Sequence, residues 1–144
     1  MALFPNTMPA PAPNFEDTGF WEACNRRELS FQCCSACGHT RHPPSPVCPA
    51  CRSLASGWKP TRGQGTVYTF TIIHHASHEA VKPNLPYVVA IVEFDDVPGV
   101  RLVTNLTGAS RDDITVGMRV EIWWDDLGEG QFLPRCRPAV AQAF

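Results

Sequence analysis

The sequence contains no hydrophobic run long enough to cross a bilayer; its longest apolar stretch, YVVAIVEF at 87–94, is strand-sized. It also lacks the basic start and apolar core of an export signal. MALFPNTMPAPAPNF reads instead as a proline-rich arm, flexible over residues 1–14. These two absences predict a soluble, cytoplasmic protein with no membrane partner. Charge of one sign is scarce as well: 12 Lys and Arg face 14 Asp and Glu, a formal net charge of −2, which argues against a nucleic-acid partner. None of Cys24, Cys33 and Cys136 sits in a recognisable nucleophile motif, so independent catalysis has little support beyond the histidine loop His74-His75-Ala-Ser-His78-Glu79. At 144 residues the chain cannot build a large core, and modules this small often need a metal or a disulfide as a staple.

Cysteine is what the chain does have. Five of its seven cysteines fall in the nineteen residues CCSACGHTRHPPSPVCPAC, 33–51. In a reducing compartment such clustering points to a metal; three disulfides and one odd thiol in a secreted protein is the competing reading. Cys34-Ser-Ala-Cys37 and Cys48-Pro-Ala-Cys51 are two C-x-x-C knuckles separated by ten residues. Each knuckle lets a tight turn aim two sulfurs at one point, and two knuckles complete a tetrahedron. Cys34, Cys37, Cys48 and Cys51 are therefore the expected ligands of one structural zinc ion. Four thiolates leave no open position for a catalytic water. They suit iron too, as in a rubredoxin-like electron carrier, which a red colour would reveal. Cys33 would point the opposite way on an extended strand and is excluded. Gly38 follows the first knuckle, where a left-handed backbone favours glycine, whereas Arg52 holds the same place after the second. Cys24 and Cys136 read as small core residues.

The fold class predicted from pattern is mainly β: a short N-terminal helix, a zinc ribbon, then a five-stranded barrel of the OB-fold type, although periodicity alone would also permit a small sandwich. NFEDTGFWEACNRREL forms the helix, with Asp17 or Thr18 as its cap and Phe20, Trp21 and Cys24 on one face. RGQG at 62–65 marks a boundary, which gives a helix-and-ribbon module over 15–62 and a barrel over 63–144. GTVYTFTIIHH, PYVVAIVEFDD, VRLVTNLTG, MRVEIWWDD and QFLPRC are the five strands, since each is rich in β-branched and aromatic residues and turn signals separate the later ones. Charge divides along the same line. Residues 24–62 hold six basic residues and one acidic, +5; residues 63–144 hold six basic and ten acidic, −4.

FWEACNRRELSFQCCSACGHTRHPPSPVCPACRS, the strand segments, and VGMRVEIWWDDLGEGQFLPRCRP together resemble the acyl-CoA-associated OB-fold family that carries a rubredoxin-like zinc ribbon. The resemblance runs from Phe20 to Pro138 and departs at Arg52 and at the adjacent Cys33. It implies a small accessory subunit of a thiolase-superfamily enzyme, in fatty-acyl, steroid side-chain or aromatic acyl-CoA metabolism. That subunit would be non-catalytic and would dock on a thiolase-like catalytic subunit in a two-plus-two heterotetramer. Acyl-CoA would lie at the shared interface, with this chain helping to shape the CoA or acyl channel of a thiolase, aldolase or acyltransferase. Candidate docking residues are Phe20, Trp21 and the outward member of the Trp123–Trp124 pair, assigned to Trp124. Candidate contacts to CoA or another ligand are Arg41 in the ribbon and His74, His75 and Lys82 around the first long barrel loop. The alternative function is a single-stranded nucleic-acid-binding module, because ribbons and OB barrels both occur in such proteins; the acidic barrel argues against it.

Overall fold

A computed structural model describes residues 2–140. Helix α1 spans Thr18–Asn25. Asp17 is the N-cap residue, one of the two expected, but its side chain caps no helix N–H: Oδ1 turns back to accept from Asn14 N (2.7 Å), while Asn14 Oδ1 accepts from the N–H groups of Glu16 (2.8 Å) and Asp17 (3.0 Å) in the turn before the helix. The helix buries Phe20, Ala23 and Cys24. A helix of eight residues is marginal alone, so this buried face is what holds it.

Strands β1 (Ser30–Cys34), β2 (Thr40–Arg41) and β3 (Ser56–Pro60) form the ribbon sheet in the order β2-β1-β3. Strands β4 (Gln64–Ile73), β5 (Tyr87–Phe94), β6 (Arg101–Leu106), β7 (Arg119–Gly128) and β8 (Gln131–Pro138) close into a barrel in the order β4-β5-β6-β8-β7. All five coincide with the segments read from the sequence. Alternation is cleanest in β5, where Val88, Ala90, Val92 and Phe94 point inward. Gly65 lets β4 and β5 meet at the boundary: a Cβ there would lie 2.0 Å from the carbonyl oxygen of Glu93. The connection 79–84 is a 3-10 helix, and His78 Nδ1 caps it by accepting from Ala80 N at 3.1 Å.

Ribbon, helix and barrel share one apolar cluster. Phe20 and Cys24 of α1, Leu29 before β1 and Phe31 of β1 pack with Val67, Val92, Phe94 and Cys136 of the barrel. Phe31 and Phe94 sit with ring centroids 5.3 Å apart. Burial pushes the Cys24 and Cys136 thiols up to about 12, so both stay protonated and inert. They are core residues, as the sequence suggests.

The barrel is closed unevenly. β7 and β8 pair along their length, but β6 meets β8 in parallel at a single register position, Leu106 to Cys136. Outside this seam lies a buried polar network. Asp125 is fully buried and accepts from Arg135 Nε at 3.0 Å; Arg135 Nη1 donates to Asn105 Oδ1 at 2.6 Å. The start of the segment expected as an arm is fastened there: Leu3 N donates to Asp125 Oδ2 at 3.2 Å, and Asn84 Nδ2 donates to Leu3 O at 2.9 Å. Phe4 is 9% exposed, edge-on to Tyr87 and beneath the Arg135 guanidinium.

Candidate functional site

The metal centre grows from two tight-turn knuckles. Cys34 ends β1, and its carbonyl accepts from Gly38 N at 2.9 Å; Cys48 O accepts from Arg52 N at 2.9 Å in the same pattern. Both residues that close the knuckles are left-handed, Gly38 at φ 79° and Arg52 at φ 66°. The four sulfurs of Cys34, Cys37, Cys48 and Cys51 all lie within 4.8 Å of one another, with Cys34–Cys51 at 3.5 Å and Cys37–Cys48 at 3.6 Å. A tetrahedron with metal–sulfur bonds of about 2.3 Å has edges of roughly 3.8 Å, so the donor set fits a closed four-coordinate ion. Cys33 is not among the four. All seven thiols are free of disulfides.

Without a cation the sulfurs compete for protons. The Cys37 N–H holds the Cys34 thiol down at about 6. At Cys37 a backbone N–H from His39 favours the thiolate, but burial and the neighbouring sulfurs outweigh it and push that thiol up to about 12. A divalent cation removes the conflict by replacing protons.

Arg52 carries the cost of a side chain in a left-handed turn, about 1 kcal/mol. We expect Arg52→Gly to raise the stability of the metal-loaded protein by about that amount, as read in denaturant melts. An unchanged or lowered midpoint would show that the Arg52 side chain contributes more than its backbone costs.

The other site residues named from the sequence are not brought together. Arg41 is 7% exposed; its Nη2 donates to Ser45 O at 3.0 Å, and its Nε and Nη1 are buried without partners. Gln32 Oε1 fixes the same loop by accepting from Ser45 N at 2.7 Å, so Arg41 is held buried beside that loop. His74 and His75 are exposed at the end of β4, and Lys82 is exposed and paired with Glu79 at 2.5 Å. Phe20 is 3% exposed, its ring packed on Trp21, Phe31 and His42, whereas Trp21 is half-buried. Trp124, taken as the outward ring of its pair, packs against the core; Trp123 lies on the opposite face, its Nε1 donating to Thr107 Oγ1 at 3.0 Å.

Sequence reasoning missed a cleft of about 610 Å³ along the β6–β8 seam. Trp21, Phe4, Tyr87, Leu102, Val103 and Pro134 make it largely apolar, and Asn105 and Arg135 supply polar groups. His42 also lines it, with Nδ1 buried and unpartnered. Burial lowers the His42 pKa, so the ring is held neutral. The sign follows: below the ordinary value of about 6.5 the unfolded chain binds a proton that the folded chain resists, and stability falls as pH drops. His42→Phe should flatten the stability profile between about pH 7 and 5 in denaturant melts; an equally steep profile in the variant would assign the acid sensitivity elsewhere.

Two family models match the chain: the rubredoxin-like zinc ribbon domain of ChsH2 over residues 21–55, and the C-terminal OB-fold domain of ChsH2 over residues 58–125. A DUF35 domain-containing scaffold protein of Methanothermobacter thermautotrophicus is 31% identical over 98 residues, which cover 67% of this chain and 71% of that protein. The chain belongs to the ChsH2/DUF35 family. A solved structure described as the Ltp2-ChsH2(DUF35) aldolase contains a similar chain, 41% identical with a TM-score of 0.82, matched over 91% of this chain and all of that one. A probable enoyl-CoA hydratase alpha subunit of Thermomonospora curvata is 44% identical over 93% of this chain and 41% of its own length. The 3-oxo-4,17-pregnadiene-20-carboxyl-CoA hydratase alpha subunit of Mycobacterium tuberculosis is 32% identical over 87% and 39% respectively. The chain thus spans about two fifths of these two relatives. Family, fold class and tetracysteine metal site agree with the reading of the sequence. No helix among the described residues is long and apolar enough to cross a membrane.

Proposed function

We propose that this ChsH2/DUF35 chain is a non-catalytic, zinc-binding accessory subunit of a thiolase-superfamily acyl-CoA thiolase or aldolase. One structural zinc ion holds the ribbon, and the ribbon with α1 presents Trp21 to the catalytic subunit in a two-plus-two assembly. Acyl-CoA lies at the shared interface. The observation that carries this reading is the match, over 91% of this chain and all of the other, to a chain of the Ltp2-ChsH2(DUF35) aldolase. The chemistry of the chain supports it. Four of its cysteines form a closed metal site, and two more are buried with thiols raised to about 12, so a thiolate nucleophile for acyl transfer has no seat among those six. The hydratase alpha subunits share this ribbon-and-barrel portion within proteins more than twice as long, which supports a portion common to assemblies of different chemistry.

The test is copurification of the full chain from its native cell extract, with partners identified by mass spectrometry. A thiolase-like subunit should appear in equal amounts, and Trp21→Ala should weaken the complex by about tenfold or more, the usual cost of losing a buried aromatic anchor. Undiminished assembly of Trp21→Ala would remove α1 from the docking face. A salt-sensitive shift of single-stranded nucleic acid by the chain alone would favour the binding-module alternative.

A further inference from the structure

Residues 2–11 lie on the barrel without joining its sheet or its core. Pro5, Pro9, Pro11 and Pro13 remove backbone donors and fix φ, so this stretch cannot enter a strand ladder and moves as a stiff piece. Among the described residues, the hydrogen bonds that tie it to the rest of the chain are both at Leu3, to Asp125 and from Asn84. Met8 N donates within the segment, to Pro5 O at 2.9 Å. Phe4 is its one buried side chain, and it packs on Tyr87 and Arg135, outside the apolar cluster that joins α1, ribbon and barrel.

This clasp can open without breaking the polar network beneath it. Asp125 Oδ2 accepts from both Leu3 N and Arg135 Nε, so when Leu3 leaves, the Asp125–Arg135 pair and the Arg135–Asn105 bond remain. The buried charge stays neutralised, and the loss is confined to the Leu3 bonds and the Phe4 ring. Segments with so few buried contacts and so much exposed backbone open locally, well before the fold does. At the other end Asn14 is pinned in the turn before α1, while Ala12 and Pro13 are exposed, which places the pivot at those two residues. What the movement would do follows from where the segment lies. Phe4, Met8, Pro9 and Ala10 line the cleft of about 610 Å³ on one side and a second cavity of about 570 Å³ on the other, which reaches the β7–β8 turn at Gly128 and Glu129. Leu133 and Arg135 of β8 line both. The segment is the partition between two halves of one groove.

We propose that residues 2–11 are a hinged strap, which leaves the barrel as a unit at its Leu3–Phe4 clasp and joins the two cavities into one groove floored by Leu133 and Arg135. In the closed form Phe4 covers the Arg135 guanidinium. In the open form that cation and the apolar walls of both cavities face solvent. The device belongs to this chain and does not depend on the accessory-subunit reading.

The test uses the full zinc-loaded chain. In hydrogen exchange followed by NMR, the Leu3 amide should be protected, but about a hundredfold or more less than the amides of Ala90 and Val92, which are held between β4 and β6. Mild denaturant should leave the Leu3 rate unchanged, because a local opening exposes little surface. Protection equal to that of Ala90 and Val92 would tie the segment to global unfolding and overturn the proposal. No protection at all would mean that the clasp does not form, and would overturn it too. Phe4→Ala and Asn84→Ala weaken the clasp from either side, and each should raise the fluorescence of added anilinonaphthalene sulfonate, an apolar anionic dye, severalfold over the parent. Zinc content and a cooperative melt report whether each variant is folded; should Phe4→Ala fail that check, Asn84→Ala and the exchange data decide. A folded variant whose Leu3 amide has lost its protection but whose dye binding stays within about twofold of the parent would show that no groove opens, and the proposal falls. A variant that keeps its zinc but loses the cooperative melt of the barrel would make the segment part of the core, with the same consequence.

Discussion

Cys37→Ser should release the metal and unfold the ribbon. The apparent binding energy of a structural tetrathiolate zinc site is on the order of 10–16 kcal/mol, and because no preformed site exists in the unfolded chain that energy is folding energy. The ribbon sheet has little else to hold it: β2 is two residues long, and all five residues of β3 are exposed or half-buried. Loss should not stay local, since Leu29 and Phe31 join the cluster that also contains the inner face of the barrel. The expected result is less than one zinc per chain by atomic absorption, with a broadened melting transition at lower temperature. Cys33→Ser, one position from a ligand but outside the four-sulfur set, should retain full metal and the parent midpoint. Equal zinc content in the two variants would refute the ligand assignment.

Asp125→Ala is the second large effect, and it acts at the other end of the molecule. Asp125 is fully buried on β7, and its partner Arg135 is 8% exposed on β8. Removing one member of such a pair leaves a guanidinium with no counter-charge, which costs about 3–5 kcal/mol. The same substitution removes the acceptor for Leu3 N, so the N-terminal segment should loosen with it. Replacing both partners, Asp125→Leu with Arg135→Met, should recover most of the loss, because the penalty is the unpaired charge and not the missing bond. Denaturant melts of the two single variants and the double variant check this. A double variant as unstable as the single would mean that the network contributes through its hydrogen bonds to Asn105 and Leu3.

What the sequence disclosed follows from how local each signal is. Two sulfurs in a knuckle are set by two intervening residues, and the ten residues between knuckles need only return the chain. Alternation in YVVAIVEF and turn residues after each strand likewise report on their own neighbourhoods. The errors came where the outcome depends on distant partners. Asp17 holds the N-cap position that its place before the apolar run suggests, yet its carboxylate bonds back to Asn14 N instead of to a helix N–H. Arg41 reads from the sequence as a candidate ligand contact; its burial depends on the proline loop, whose Ser45 bonds both Arg41 and Gln32. Phe20 and Trp21 are adjacent aromatics on a helix, and only the ribbon and barrel packed around them decide that Phe20 is the buried one. Trp123 and Trp124 divide between two faces as alternation requires, but which face is inward depends on the register of β7 with β8. The cleft left no signal in the sequence, since its walls come from the N-terminal segment, α1, the proline loop and the barrel, which only the fold brings together.

The account places metal-held architecture in this chain and acyl-CoA chemistry in a companion subunit. The most direct measurement is turnover of a panel of acyl-CoA thioesters by the zinc-loaded chain alone, by the copurified partner alone, and by the two together. The account predicts no turnover by the chain alone and full activity only with the thiolase-like subunit present. Turnover of a thioester by the isolated chain at the rate of the complex would contradict it.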